Sequence, residues 1–205
     1  MIIGIAGVKH AGKNEVAKII KEEFGEEYIV KEWSFAYKLK KSAAAALGIE
    51  TDDPVEWANE FKESGIIKIQ DTFNLFIAYW LKSEYTISGR EYLQYYGTEA
   101  HREVFGDDFW VDQTINEIKD NYAPGSSTEE RLDLITDVRF PNEAEGVWDE
   151  LGKMIRVNRH EVENQGDTHA SEKPLPADLI DVELFNNGTL QDLRLETIEV
   201  ISGLI

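Results

Sequence analysis

The chain has 205 residues, 42% hydrophobic and 30% charged, an ordinary balance for one soluble α/β domain large enough to bury a substantial core. It has no cysteine, which excludes disulfides and thiolate chemistry and accords with a cytoplasmic setting. A net charge of −19 argues against a broad basic surface for duplex nucleic acid, and no apolar run approaches the ~20 residues of a membrane span.

Ile2, Ile3 and Ile5 within Met1–Ala6 read as a buried strand. Val16, Ala17, Ile19, Ile20 and Phe24 recur at helical spacing over Glu15–Phe24. Between them lies Gly7-Val8-Lys9-His10-Ala11-Gly12-Lys13-Asn14, a glycine-rich turn with Gly-Lys near its end. Strand, turn and helix together form a phosphate-binding loop arrangement. The glycines let successive N–H groups point inward, the helix start adds partial positive charge, and Lys13 brings a point charge to the β- and γ-phosphates. The pattern ordinarily ends in Ser or Thr, whose hydroxyl ligates Mg²⁺; here the position is Asn14. The competing reading is a βα turn that happens to be rich in glycine. The strand-like N-terminus shows no basic region or cleavage site, so no secretory signal is expected.

Tyr28–Phe35 alternates enough to predict a second strand, and Ala36–Leu47 an alanine-rich helix stopped by Gly48, which begins a βαβα parallel sheet. Lys38, Lys40 and Lys41 either solvate that helix or face an anionic substrate. Residues Ile49–Ile69 read as an irregular inserted segment, in which Asp52 and Asp53 suit a solvated, helix-capping turn better than a cation site. Asp71–Leu81 is apolar helix or strand. Ser88–Arg102 is the second dense region: as a helix it sets Arg90, Gln94 and Arg102 near one face among tyrosines. Gln94 offers an amide for a base edge and Arg102 a fork for a phosphate, against the plainer reading of a surface helix with Arg–Glu pairs.

Phe109 opens a helix running to about Tyr122, and Pro124–Thr128 is a loop. Leu132–Asp137 is a buried strand ending in an acidic residue. In a protein with a phosphate loop, that position holds Mg²⁺ or its water shell, unless Asp137 merely caps a turn or helix. Arg139 falls at the same crevice. A helix over Glu143–Leu151 and a strand over Lys153–Asn158 follow. The polar loop from Arg159 to Pro176 contains Asp167, His169, Ser171 and Glu172 without the ligand spacing of a zinc site, and reads as a lid carrying Arg159. Ala177–Phe185 reads as the last strand, and Asn186-Asn187-Gly188-Thr189 caps a final helix to about Ile201.

These blocks resemble the phage-type deoxynucleoside monophosphate kinases, a branch of the P-loop nucleotide kinases. The resemblance is carried by the Gly7–Lys13 loop; by Leu93-Gln94, Gly97-Thr98-Glu99, Arg102 and Phe109-Trp110; by Asp137-Val138-Arg139-Phe140-Pro141-Asn142-Glu143; and by His169-Ala170-Ser171-Glu172. The ending from Ala177-Asp178 through Asn186-Asn187-Gly188-Thr189-Leu190 to Leu193 is similar to that of dephospho-coenzyme A kinase. The resemblance implies a three-layer α/β P-loop kinase domain, a mainly parallel sheet flanked by helices. Its core would span about 1–48 and 130–205, with a helical acceptor-binding insertion over about 49–129 and a lid over about 159–176.

It further implies transfer of the ATP γ-phosphoryl to a deoxynucleoside monophosphate with Mg²⁺, in the cytoplasm (of the host cell for a phage-encoded chain), with no nucleic-acid or membrane partner; a homodimer is compatible. Catalysis would fall to Lys13, Asp137, Arg139 and Arg159. ATP would be bound by Gly7, Lys9, Ala11, Gly12, Lys13, Asn14 and Glu15, with Asn186 or Asn187 at the adenine. The acceptor would meet Arg90, Gln94 and Arg102, with Tyr96 or a neighbouring tyrosine, or Trp110, stacking on its base. Asn14 and Asp137 would serve the metal. The alternatives are a P-loop kinase of another small phosphorylated metabolite, a nucleotide-binding module without turnover, prompted by Asn14, and, with least support, a nucleic-acid-dependent ATPase.

Overall fold

Alternation along the central strands decides which side of the sheet each side chain covers. The computed structural model describes residues 1–69, 85–122, 131–160 and 174–205. In chain order the elements are β1 (Ile2–Ala6), α1 (Lys13–Phe24), β2 (Ile29–Trp33), α2 (Phe35–Ala46), α3 (Pro54–Ser64), β3 (Ile66–Ile69), β4 (Tyr85–Ser88), α4 (Gly89–Gly97), α5 (Phe109–Asp120), β5 (Arg131–Val138), α6 (Pro141–Asp149), β6 (Lys153–Asn158), β7 (Val182–Phe185) and α7 (Leu190–Ser202). The expected element at 71–81, the loop at 124–128 and most of the expected lid, including Asp167, His169, Ser171 and Glu172, lie outside the described residues.

The chain divides into two compact units, Met1–Phe35 with Trp110–Ile205, and Ala36–Phe109. The first is built on a five-stranded sheet in the order β2-β5-β1-β6-β7, every pairing parallel. Ile3, Ile5, Leu132, Leu134, Ile155 and Val157 point to one face and pack with Val16, Ile19 and Ile20 of α1 and Leu193 and Ile201 of α7. Ile2, Ala6, Ile135, Val138 and Met154 point to the other, against Val111, Ile115 and Ile118 of α5 and Ala144 and Val147 of α6. The result is the expected three-layer α/β architecture, with strands buried on both faces reading as nearly unbroken apolar runs.

A polar network closes the amino-terminal end of β5. Asp133, fully buried, accepts from Trp33 Nε1 (2.6 Å), the Tyr122 hydroxyl (2.8 Å) and the Arg131 guanidinium (2.7 Å). Arg131 also donates to the Asn121 carbonyl (2.9 Å) and lies over the Tyr122 ring. A buried ion pair is tolerable only when hydrogen-bonded on this scale. Burial first, and then the bond to Asp133, pushes the Tyr122 phenol up to about 12, so it remains a donor.

The second unit starts at Ala36, earlier than the expected 49, because α2 packs with α4: the Ser42 and Tyr96 hydroxyls are 2.7 Å apart, and the Tyr92 hydroxyl donates to the Ala43 carbonyl (3.0 Å). It ends at Phe109, well short of 129, because α5 contributes to the sheet core. The stretch read as irregular contains α3 and β3. Asp53 caps α3 by accepting from the Val55 and Glu56 N–H groups (both 2.9 Å), and Pro54 fits the first turn. Ala58, Trp57 and Phe61 then bury one face of α3 against Leu93 and Tyr92. β3 pairs antiparallel with β4. Ser88 and Glu91 form a capping box for α4, which passes into a π-helical turn at Thr98–Arg102.

The expected last strand is shorter than its apolar run. Ala177–Leu179 forms a 3₁₀ turn after Pro176, and β7 begins only at Val182. Asp181 fixes this entry by accepting from the Met154 N–H (2.8 Å), Trp148 Nε1 (2.9 Å) and Lys153 Nζ (3.2 Å). Thr189 caps α7 with Asp192 as its capping-box partner. No helix of the described residues is long and apolar enough to cross a membrane.

Candidate active site

The site is set by where neighbouring strands end. Ala6, the last residue of β1, pairs with Val138 of β5 and with Arg156 of β6. Parallel neighbours lie about 4.8 Å apart, so the loop leaving β1 at Gly7 and the carboxylate of Asp137 emerge at the same carboxyl end of the sheet.

The loop is tightly curled. Gly7, His10 and Gly12 have φ of 149°, 66° and 108°. A Cβ on Gly7 would stand 2.6 Å from the Val157 carbonyl oxygen, so that position requires glycine on two counts. The Ala11 N–H donates to the Val8 carbonyl (3.2 Å), and Lys13 Nζ donates to the carbonyls of Gly7 (2.7 Å) and Val8 (3.0 Å), which bends the ammonium back over the loop. No side chain caps α1 at Gly12, so its first turn presents backbone N–H groups and positive dipole to whatever the loop holds. Lys9 and Asn14 are exposed, Glu15 is half-buried, and Ala11 is buried.

Asp137 is half-buried at the end of β5. Its Oδ2 accepts from the Ser34 hydroxyl (2.7 Å) and its Oδ1 from the Phe35 N–H (2.8 Å), so it secures the start of α2. A carboxylate has about four acceptor sites, so capping is compatible with holding a metal-bound water. Arg139 is exposed in the turn that follows. That turn is fixed by Glu143, a buried carboxylate accepting from the Arg139 N–H (2.7 Å) and the Phe140 N–H (3.1 Å). Sequence reading missed this role, although an acid three residues into a Pro-started helix is its usual signal. Arg159 is half-buried just beyond β6, and the next N–H, of His160, donates to Asn187 Oδ1 (2.9 Å). Asn186 Nδ2 donates to the Ala11 carbonyl (2.8 Å). Both asparagines thus bond to backbone.

In the second unit, Arg90 and Gln94 are exposed and one turn apart on α4, and Arg90 pairs with Glu63 (3.2 Å). Arg102 is the last residue of the π turn, whose wider winding shifts it out of helical phase with them. Tyr96 is half-buried, with its ring 4.4 Å from that of His101. Trp110 belongs to the first unit and is only 3% exposed, which makes it a core side chain in place of the base-stacking one expected. Burial first, and Tyr96 second, push the Tyr92 phenol up to about 12.

Residues 50–197 match the family model for deoxynucleotide monophosphate kinase. The chain belongs to the deoxynucleotide monophosphate kinase family. It is 27% identical to a protein of Acanthamoeba polyphaga mimivirus provisionally described as a deoxynucleotide monophosphate kinase, over 99% of this chain and 97% of that one. Among solved structures it is similar to dephospho-CoA kinase from Campylobacter jejuni, at 14% identity and a TM-score of 0.43 over 99% and 96% of the two chains. It is also similar to shikimate kinase from Aquifex aeolicus, at 12% identity and a TM-score of 0.42 over 100% and 98%. Both likenesses are remote, and the architecture rests on the sheet order itself. The protein is a nucleotide kinase, an ATP-dependent phosphotransferase.

Proposed function

We propose that this kinase transfers the γ-phosphoryl of ATP to a deoxynucleoside 5′-monophosphate, giving the diphosphate and ADP. The observation that carries the reading is the curled Gly7–Lys13 loop beside Asp137 at the carboxyl end of a parallel sheet, in a chain whose residues 50–197 match this family.

The acceptor is itself a phosphate, largely ionised at neutral pH, so the reaction needs no strong general base. The protein's task is to place two anionic groups in line and offset the charge on the moving phosphoryl. The loop N–H groups and Lys13 take the donor phosphates; Lys13 meets them by exchanging its bonds to the Gly7 and Val8 carbonyls for phosphate oxygens. Arg139 and Arg159 supply transition-state charge. Arg90, Gln94, Arg102 and Tyr96 serve the acceptor, Arg90 giving up its exposed pair with Glu63, which costs little.

The donor set fits Mg²⁺. Among the described residues there is no group of three or more carboxylates and histidines able to hold a metal alone, and Mg²⁺ in such enzymes is held by one or two protein ligands, waters and the substrate phosphates. Asp137 through water and the exposed amide of Asn14 would supply the protein's share. When bound, the ion offsets charge on the β- and γ-phosphates.

The test is product analysis with ATP and a panel of deoxynucleoside monophosphates, ribonucleoside monophosphates and dephospho-coenzyme A. The expected result is diphosphate from at least one deoxynucleotide at a higher kcat/KM than from the other acceptors. Absence of diphosphate from every deoxynucleotide overturns the reading.

A further inference from the structure

Asn186 and Asn187 stand where the sequence invites an adenine contact, yet both side chains are committed to backbone. Asn186 follows β7 directly, and its own N–H donates to the Asn158 carbonyl (2.8 Å). Its Nδ2 reaches the Ala11 carbonyl across 175 positions of sequence, and a Cβ on Gly12 would collide with it. Asn187 Oδ1 accepts from the His160 N–H at 2.9 Å. A carbonyl only accepts and a backbone N–H only donates, so the partners themselves fix both amide orientations.

We propose that these consecutive asparagines are positioning residues for phosphoryl transfer, Asn186 for the phosphate loop and Asn187 for the segment carrying Arg159. In a trans peptide the C=O and N–H point in opposite directions. By holding the Ala11 carbonyl, Asn186 therefore aims the Gly12 N–H away from itself at the start of α1, where the loop needs its donors preorganised. Asn187 fixes the peptide immediately after Arg159, at the point where the chain leaves β6. One turn at the carboxyl end of β7 thereby registers the donor phosphates against a candidate transition-state arginine. The inference rests on the nucleotide-kinase reading of the loop.

The two residues make opposite demands. Asn186 must donate, and Asn187 must accept. Replacement by aspartate, which accepts only, therefore separates them. Wild type, N186A, N186D, N187A and N187D are compared by calorimetric titration with Mg·ADP, by steady-state kinetics and by hydrogen exchange at the His160 amide. N186A is expected to weaken ADP binding by about 10-fold, the scale of one lost hydrogen bond, and N186D by more, because its carboxylate faces a carbonyl. N187A is expected to lose exchange protection at His160 and to lower kcat by about 10-fold with ADP affinity little changed; N187D is expected to recover both.

Wild-type ADP affinity in N186D, or equal damage in N187A and N187D, overturns the proposal. So does uniform loss of thermal stability in all four variants without this split. If wild type binds ADP but phosphorylates no deoxynucleotide, the substrate reading fails, while affinity at Asn186 and exchange at His160 still decide this inference.

Discussion

Lys13 and Asp137 carry different burdens at the residue scale. The Lys13 ammonium is held over the loop by two carbonyls, and the residue is half-buried. Lys13→Ala should therefore leave the thermal midpoint within a few degrees of wild type while lowering kcat by about 10²-fold or more, read by steady-state kinetics with a deoxynucleotide acceptor. Asp137 does structural work as well, because it holds the Ser34 hydroxyl and the Phe35 N–H. Asp137→Ala should cost about 1 kcal/mol of stability in addition to activity. Asp137→Asn keeps an acceptor for the Phe35 N–H but removes the charge, so it should retain most of the stability and still lose about 10²-fold in kcat. Full activity in Asp137→Asn would remove the metal role. Sequence alone singles out Gly7, Gly12 and Lys13 as candidates because loop chemistry is local. It could not show the bond from Asn186 to the Ala11 carbonyl, which joins residues 175 positions apart.

At the scale of elements, legibility followed the length and purity of the apolar pattern. β1, β5, β6 and α1 were readable because both faces of the strands and one face of the helix are packed. α3 was not, since its buried face consists of Trp57, Ala58 and Phe61 among charged neighbours, and only tertiary packing against Leu93 and Tyr92 selects the helix. β7 was overread, because Asp181 turns the chain inside an apolar run.

The packing of α4 on α2 gives a pH-dependent test. Burial raises the Tyr92 phenol from its ordinary 10 to about 12 while its hydroxyl donates to the Ala43 carbonyl. The unfolded chain loses this proton first, so the tyrosine's contribution is complete below about pH 10 and is lost as pH rises toward 12. Tyr92→Phe should be less stable by about 1 kcal/mol at neutral pH. It should also show a shallower alkaline decline in urea-unfolding free energy; an unchanged slope would show that Tyr92 is not the group responsible. Tyr122, raised by the same primary cause, leaves a residual decline.

At the scale of the whole molecule, charge is the dominant fact. Forty acidic side chains face twenty-one basic ones, so even complete one-to-one pairing would leave 40 − 21 = 19 carboxylates without a cation. Surface pairs such as Lys18 with Glu15 and Glu22 and Arg194 with Glu22 are solvent-exposed and worth about 0–1 kcal/mol each. Screening therefore weakens small local attractions and a larger summed repulsion, and the repulsion should prevail. Salt added from about 0.01 M to 0.15 M shortens the screening length from about 30 Å to 8 Å, the span over which like charges across a unit cease to act on one another. The thermal midpoint should rise by a few degrees over that range, and similarly with NaCl and KCl, since the effect is one of ionic strength. A midpoint that falls with salt would mean that the surface pairs outweigh the net charge. The same excess predicts that duplex DNA, titrated at low salt where counterion release is most favourable, leaves both the midpoint and the ATPase rate unchanged; stimulation by DNA would require a basic stripe that the composition does not provide.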